Sequence, residues 1–321
     1  MVHVSLSFKK SHHINQYLYG FMMLHKKGML HIDSIDKNDR YSDKILRATI
    51  DGVNFIYDGH DGDQIDRGFF SLMDYEWCDV YYKRSYSPQL GHLYEKCKPI
   101  GFNYNIIPDY SKIDWLNNSF KRFVGKGIIR HSDLECLPKP FKKPRILFLT
   151  GLWDPCEDLS TAEEIDNINK TRLLILDTLS NKYKKIATFG VGETPFTRKI
   201  ASKYIIHQKM VKRANFIKAI KEHDICITSN GLHFSTGWRF AEYISASRAI
   251  ISEELKYSSV GNFNKNINYL PFSCEETLES SIEELLDIKR RKSVMLNNYI
   301  YYHNSLRPDS LILNSIVNTC L

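Results

Sequence analysis

The sequence predicts an α/β fold organised as two Rossmann-like domains, and three observations carry that reading. The chain has 321 residues, beyond the ~250 at which a single core stops growing. Between residues 137 and 145 it places three prolines and four basic residues, a stretch that continues neither a helix nor a central strand. Beyond that stretch, short apolar runs alternate with amphipathic segments of helix length, the pattern of a parallel sheet covered on both faces.

Residues 1–140 form the first expected domain, the smaller and less regular of the two. Apolar runs predict strands at 2–7, 30–35, 54–57 and 80–82, and amphipathic spacing predicts a helix over 12–27. Residues 137–145 are the expected linker. Residues 145–290 form the second expected domain, with strands at 146–149, 186–189, 204–206, 225–227 and 249–251. In such a doubly wound sheet, ligands bind beyond the carboxyl ends of the strands, so the loops after these runs come first as candidate sites. From about residue 275 the chain is mostly helical, and it includes the basic run Lys289-Arg-Arg-Lys292. Residues 291–321 are expected to form helices that pack across both domains, the last of them following Pro308.

Composition narrows the class. With 43% hydrophobic and 25% charged residues, the chain reads as a soluble globular protein, and no window approaches the ~20 apolar residues of a membrane span. The start, Met-Val-His-Val-Ser-Leu-Ser, lacks the basic opening and long apolar core of a secretory signal, so a cytoplasmic location is expected. Seven cysteines, an odd number with no C-x-x-C pair, suggest neither a disulfide framework nor a zinc site. The net charge of +7 favours an anionic partner such as a nucleotide, a phosphorylated substrate or a membrane surface. The 19 tyrosines and four tryptophans are not interleaved with basic residues as in a single-strand groove, so nucleic acid is not expected.

The densest group of unusual residues lies at 223–253. A buried-type strand ends near Ser229, an Asn230-Gly231 turn follows, and a loop with His233, Ser235 and Thr236 enters a helix at Gly237. A strand, a small-residue loop and a helix N-terminus together make an anion site, because unpaired N–H groups and the helix dipole point at its occupant. Arg239 and Glu242 stand three residues apart on one helix face, which the pattern leaves either facing a ligand or making a plain surface pair.

The segment Gly231-Leu-His-x-x-x-Gly-Trp-Arg-Phe-x-Glu-Tyr243, followed by Ala246-Ser-Arg-Ala-Ile-Ile-Ser-Glu253, resembles the donor-binding region of bacterial glycosyltransferases of the GT-B fold. The resemblance spans about residues 145–255. It implies two Rossmann-like domains facing across a cleft and transfer of a sugar from a nucleotide-sugar donor. By resemblance Glu242 binds the donor ribose, with Arg239, Gly237, Ser235 and His233 around the phosphates or sugar. It further implies a surface-glycan acceptor, polysaccharide or lipopolysaccharide, often lipid-linked. Such an acceptor is compatible with peripheral contact at the inner face of the membrane. Phe234 stands where retaining members carry a second glutamate, and Thr150-Gly-Leu152 replaces their Gly-Arg-Leu, so a retaining outcome is not implied.

Gly151, at the end of the first strand after the linker, permits close backbone approach. Lys209 and Arg213 are offered to a diphosphate, or lie on plain surface. In the first domain, Asp58-Gly-His-Asp-Gly-Asp63 follows a strand. It supplies Asp58, His60 and Asp61 as candidate bases for an attacking hydroxyl, the alternative being a tight turn in which the aspartates bond locally. The loop lacks EF-hand spacing, so no metal or other cofactor is expected. Lys83 and Arg84 are candidates to neutralise an anionic acceptor, or snorkelling surface cations. A nicotinamide-dependent oxidoreductase shares the βα alternation, but no G-x-G-x-x-G follows any expected strand. A GT-B protein without activity is the third alternative.

Overall fold

The computed structural model describes residues 1–124 and 127–320. The chain divides into two compact units. Met1–Asp133, Lys256–Asn262 and the chain from Tyr302 onward make up the first; Leu134–Leu255 and Phe263–Tyr301 make up the second. Both are α/β, with helices at the C-terminal end, the element content that the GT-B resemblance implies.

The first unit holds β1 (Val2–Phe8), β2 (Leu30–Lys37), β3 (Ile45–Ile50), β4 (Val53–Asp58), β5 (Val80–Lys83) and β6 (Cys97–Pro99), in the sheet order β2-β1-β3-β4-β5-β6. The sheet is mixed: β3 runs antiparallel to β1 and β4, and the other neighbours pair in parallel. In β1 the alternate residues Val4, Leu6 and Phe8 are fully buried, the period-two pattern of a strand with one face on the core. Neither β3 nor β6 is among the expected strands. The signal for β3 is Asp51-Gly52, whose φ values of 46° and 86° make the two-residue hairpin turn that favours Asp-Gly. This unit also carries α1 (Asn15–Lys26), α2 (Leu72–Trp77), α3 (Pro88–Leu93) and α4 (Lys112–Phe123), and the short α5 (His131–Leu134) closes this stretch.

The second unit contains a fully parallel sheet of β7 (Ile146–Thr150), β8 (Ala187–Val191), β9 (Ile225–Ile227), β10 (Ala249–Glu253) and β11 (Tyr269–Phe272), ordered β11-β10-β9-β7-β8. Every residue of β7 is buried, as a central strand covered on both faces requires. The expected strand at 204–206 is not in the sheet: Ser202–Tyr204 is a 3₁₀ turn, and Ile205 makes only an isolated bridge to Val191. The remaining sheet position is filled by β11, whose Pro271 suits an edge strand. Its helices are α6 (Ala162–Thr178), α7 (Pro195–Ile200), α8 (Gln208–Val211), α9 (Arg213–Glu222), α10 (Trp238–Ser245), α11 (Glu275–Leu286) and α12 (Ile288–Tyr301). The last helix, α13 (Pro308–Cys320), belongs to the first unit and lies on α1. The two approach so closely that a Cβ on Gly20 would stand 2.2 Å from the Pro308 carbonyl oxygen.

The proline-rich stretch at 137–145 is bound into the second unit. Asp224 accepts from the backbone N–H groups of Phe141 (3.0 Å) and Arg145 (2.8 Å), and pairs with Arg291 at 2.8 Å. Arg291, one of the basic run 289–292, is completely buried and donates to the Phe141 carbonyl at 2.9 Å. Among the described residues no helix is long and apolar enough to cross a membrane.

Candidate functional site

In the second unit the carboxyl ends of β7, β9 and β10 meet around a cation absent from the sequence-based candidates, Arg172 of α6. Its Nη1 donates to the Gly151 carbonyl at 2.8 Å and its Nε to Ser229 Oγ at 3.1 Å. The guanidinium lies 4.1 Å from the centre of the Trp153 ring. Three residues earlier on the same helix, Asn169 clamps the Trp153 backbone through both amide atoms, at 3.1 and 2.7 Å. The loop after β7 is thus held by one face of one helix. Burial, together with the charge of Arg239, pulls Arg172 down to about 10. It remains a cation at neutral pH, and its Nη2 donates to none of the described residues. Gly151 sits beside it, and a Cβ there would meet no atom within 4 Å.

The loop after β9 is tightly shaped. Asn230 N–H donates to Glu253 at the end of β10 (2.8 Å), and Gly231 N–H donates to the Ser235 carbonyl (2.8 Å). His233 and Phe234 both adopt left-handed backbone conformations, with φ of 59° and 57°. Such geometry is uncommon in residues with a Cβ, and unusual backbone of this kind gathers at ligand sites. The His233 N–H donates to the carboxylate of Glu164 on α6, whose second oxygen lies 3.6 Å from the His233 ring. Phe234 is 53% exposed and Ser235 is buried.

Gly237 then caps α10 without a side-chain hydrogen bond, so the first-turn N–H groups of the helix are not covered by a capping side chain. A Cβ at Gly237 would meet nothing within 4 Å. Arg239 stacks over Phe216 at 5.2 Å. Glu242 faces inward: it is 1% exposed and pairs with Arg213 of α9 at 2.5 Å. The surface pairing with Arg239 that the spacing allows is replaced by this buried one. Neither Glu242 oxygen accepts an aligned hydrogen bond, an arrangement that costs free energy unless something else supplies donors. Of the two basic candidates on this stretch, Arg213 joins Glu242, whereas Lys209 is exposed on α8 and its side chain bonds to none of the described residues.

In the first unit Asp58, at the end of β4, is completely buried. Its Oδ1 accepts from the His60 N–H (2.8 Å) and meets His60 Nδ1 at 2.6 Å. Its Oδ2 accepts from Tyr81 (2.7 Å) and lies 3.0 Å from the Lys83 ammonium. Burial pushes the Asp58 carboxyl up, but Lys83 and His60 outweigh it and hold the group well below the usual carboxylate range. A proton on Nδ1 donated to this carboxylate leaves Nε2 as the acceptor; the ring is 13% exposed, and Nε2 bonds to none of the described residues. Asp61 is paired with Arg84, and Asp63 accepts from Tyr257 at 3.2 Å.

Lys83 and Arg84 therefore face inward. Lys83 is fully buried, bonded to the Phe69 carbonyl at 2.7 Å as well as to Asp58, and neither it nor Arg84 is a snorkelling surface cation. His13, which precedes α1, was not a candidate. Its Nε2 lies 2.7 Å from the Lys44 ammonium, and burial, then Lys44, lower it to about 4 against the opposing charge of Asp61. The adjacent pair His12-His13 after β1, at a strand end, is the signal that marks it. Among the described residues no cluster of three metal-ligating side chains is present.

No family model matches the sequence, and no curated protein does. Among solved structures, the chain is similar to the C-terminal domain of a glycosyl transferase group 1 family protein, LpcC, from Francisella tularensis. That similarity has 12% identity and a TM-score of 0.36 over 56% of this chain and 98% of the other. It is similar to HepE of Anabaena, solved with UDP and glucose, at 12% identity and a TM-score of 0.43 over 81% of this chain and 70% of that one. A glycosyltransferase from Rickettsia africae is similar at 10% identity and a TM-score of 0.40, covering 95% and 79%.

Proposed function

We propose that this chain is a glycosyltransferase that moves a sugar from a nucleotide-sugar donor to a surface-glycan acceptor, polysaccharide or lipopolysaccharide, at the inner face of a bacterial membrane. In this reading the second unit holds the donor and the first holds the acceptor. The observation that carries it is α10: a helix whose N-terminus has no side-chain cap stands one turn before a buried carboxylate that lacks aligned hydrogen-bond donors. The dipole of a helix that starts at a glycine with no side-chain cap suits a diphosphate, and an under-bonded carboxylate suits the paired hydroxyls of a ribose.

Arg172 and Arg239 add positive charge beside that helix start, where charge develops as the nucleoside diphosphate leaves. His60 is the base. Its Nε2 takes the proton of the acceptor hydroxyl as the oxygen bonds to the anomeric carbon and the bond from that carbon to the diphosphate breaks. Asp58 is the positioning residue that holds the ring and stabilises the imidazolium.

The test is thermal stabilisation by UDP, GDP, CMP and NAD, the first three both free and sugar-linked. A ligand at 100 times its Kd adds about 2.7 kcal/mol of stability, which a melting curve resolves. A sugar nucleotide is expected to raise Tm; a rise with NAD alone overturns the reading.

A further inference from the structure

Helix α4 presents its apolar face outward. Ile113, Leu116, Phe120, Phe123 and the following Val124 are 70%, 59%, 66%, 88% and 47% exposed. At ~100° per residue, these five fall within an arc of roughly 100°, so they form one continuous stripe. Asn118, on the opposite side, is buried and bonds to Asp109 at 2.7 Å, which fixes the helix with the stripe away from the first unit's core. Soluble monomers rarely expose so large a contiguous apolar patch.

Charge flanks the stripe on both sides. Lys112, about 20° beyond one edge of the arc, and Lys121, about 60° beyond the other, are both exposed, and long cationic side chains reach past an apolar layer to anionic headgroups. The nearby cations on the inner side are engaged: Arg122 pairs with Asp133, and Arg130 lies 3.4 Å from Asp109. The first turn of α4 also borders a cleft of about 840 Å³. Lys112 and Trp115 line it together with Met22, Met23, Lys26 and the acidic Asp109, so a partly apolar cleft with charges of both signs lies beside the stripe.

We propose that α4 lies flat in the interface of an anionic lipid bilayer, with Ile113, Leu116, Phe120 and Phe123 among the acyl chains and Lys112 and Lys121 at the headgroups. The lysines on both flanks favour lipid over an apolar protein partner, because a bilayer offers acyl chains to the stripe and anionic headgroups to both lysines at once. This deepens the membrane placement in the reading above, and it stands or falls separately from the transfer chemistry, which the nucleotide melting series tests.

The experiment is co-sedimentation of the full chain with vesicles of phosphatidylcholine alone and with phosphatidylglycerol added. Wild-type protein is expected to sediment with the anionic vesicles, and to release as salt is raised, since part of the attraction is screened. Phe120→Ser with Phe123→Ser is expected to cut the bound fraction at least tenfold, and Lys112→Gln with Lys121→Gln to abolish the preference for anionic lipid. All four residues are exposed, and an unchanged melting curve confirms that the variants fold. Undiminished vesicle binding by the phenylalanine pair overturns the proposal. So does a wild-type dimer in solution that these same substitutions dissociate, which would assign the stripe to a second copy.

Discussion

His60 presents Nδ1 to a carboxylate that is completely buried and leaves Nε2 as its remaining acceptor, and the proposed mechanism gives His60 the proton transfer and Asp58 the positioning. His60→Gln is expected to lower turnover by roughly 10²–10⁴, the usual worth of a positioned base, with donor affinity unchanged in a calorimetric titration. Asp58→Asn carries a second cost, because Lys83 would stay buried at 0% exposure with its counter-charge gone; an orphaned buried charge costs about 3–5 kcal/mol. Adding Lys83→Met removes that orphan. The double variant is expected to recover most of the melting temperature while turnover stays low, since an asparagine amide carries no charge to stabilise the imidazolium and can hold the ring in the wrong tautomer. Wild-type turnover in the double variant would strip Asp58 of its positioning role. Asp58 and His60 were legible in the sequence because they are local, two residues apart after an apolar run. The burial of Lys83 was not, since a lysine at a strand end reads as solvated until the sheet is known.

At the scale of elements, α6 and α10 divide in the same way. The string from Gly231 to Glu242 announces itself through a glycine-marked helix start and residues three apart on one face. Arg172 does not: it meets Ser229 across 57 residues of sequence, and in α6 it looks like any arginine of an amphipathic helix. The inward turn of Glu242 was equally hidden, because Arg213 belongs to a different helix. Hydrogen bonds to charged groups are worth about 1.5–3 kcal/mol. Glu242→Gln is therefore expected to weaken the sugar nucleotide found in the melting series by roughly 10–100-fold. Arg172→Lys is expected to weaken it too, because a compact ammonium lacks the planar fork that spans Ser229 and Gly151 while presenting Nη2 to a phosphate. Isothermal titration measures both, and unchanged affinity in either variant removes that residue from the donor site.

At the scale of the molecule, the parallel sheet of the second unit was more readable than the mixed sheet of the first. Buried strands such as Ile146–Thr150 are continuous apolar runs, whereas β3 hides its pairing in the Asp51-Gly52 turn. Stability towards acid is a property of the whole molecule that neither pattern reveals, and two groups of the first unit contribute to it beside His223 of the second, which burial also holds below its ordinary value. His13 titrates near 4 in the fold against 6.5 ordinarily, so as pH falls below about 6.5 the unfolded chain takes up a proton that the folded one refuses. Stability then declines with falling pH until about 4, where the folded ring also charges and this contribution levels off. Asp58 has its folded value held below the ordinary 3.8; its contribution is present above that value and is lost as pH falls further, extending the decline. Both slopes have the same sign, and the first belongs to His13 with Lys44 and His12 beside it and Asp61 and Asp43 opposing. Melting temperatures of the wild type between pH 7 and 4, set against those of His13→Gln, check this. The variant is expected to lose much of the slope in that window while keeping the fall below it, and an identical slope in the two proteins assigns the acid sensitivity to another group.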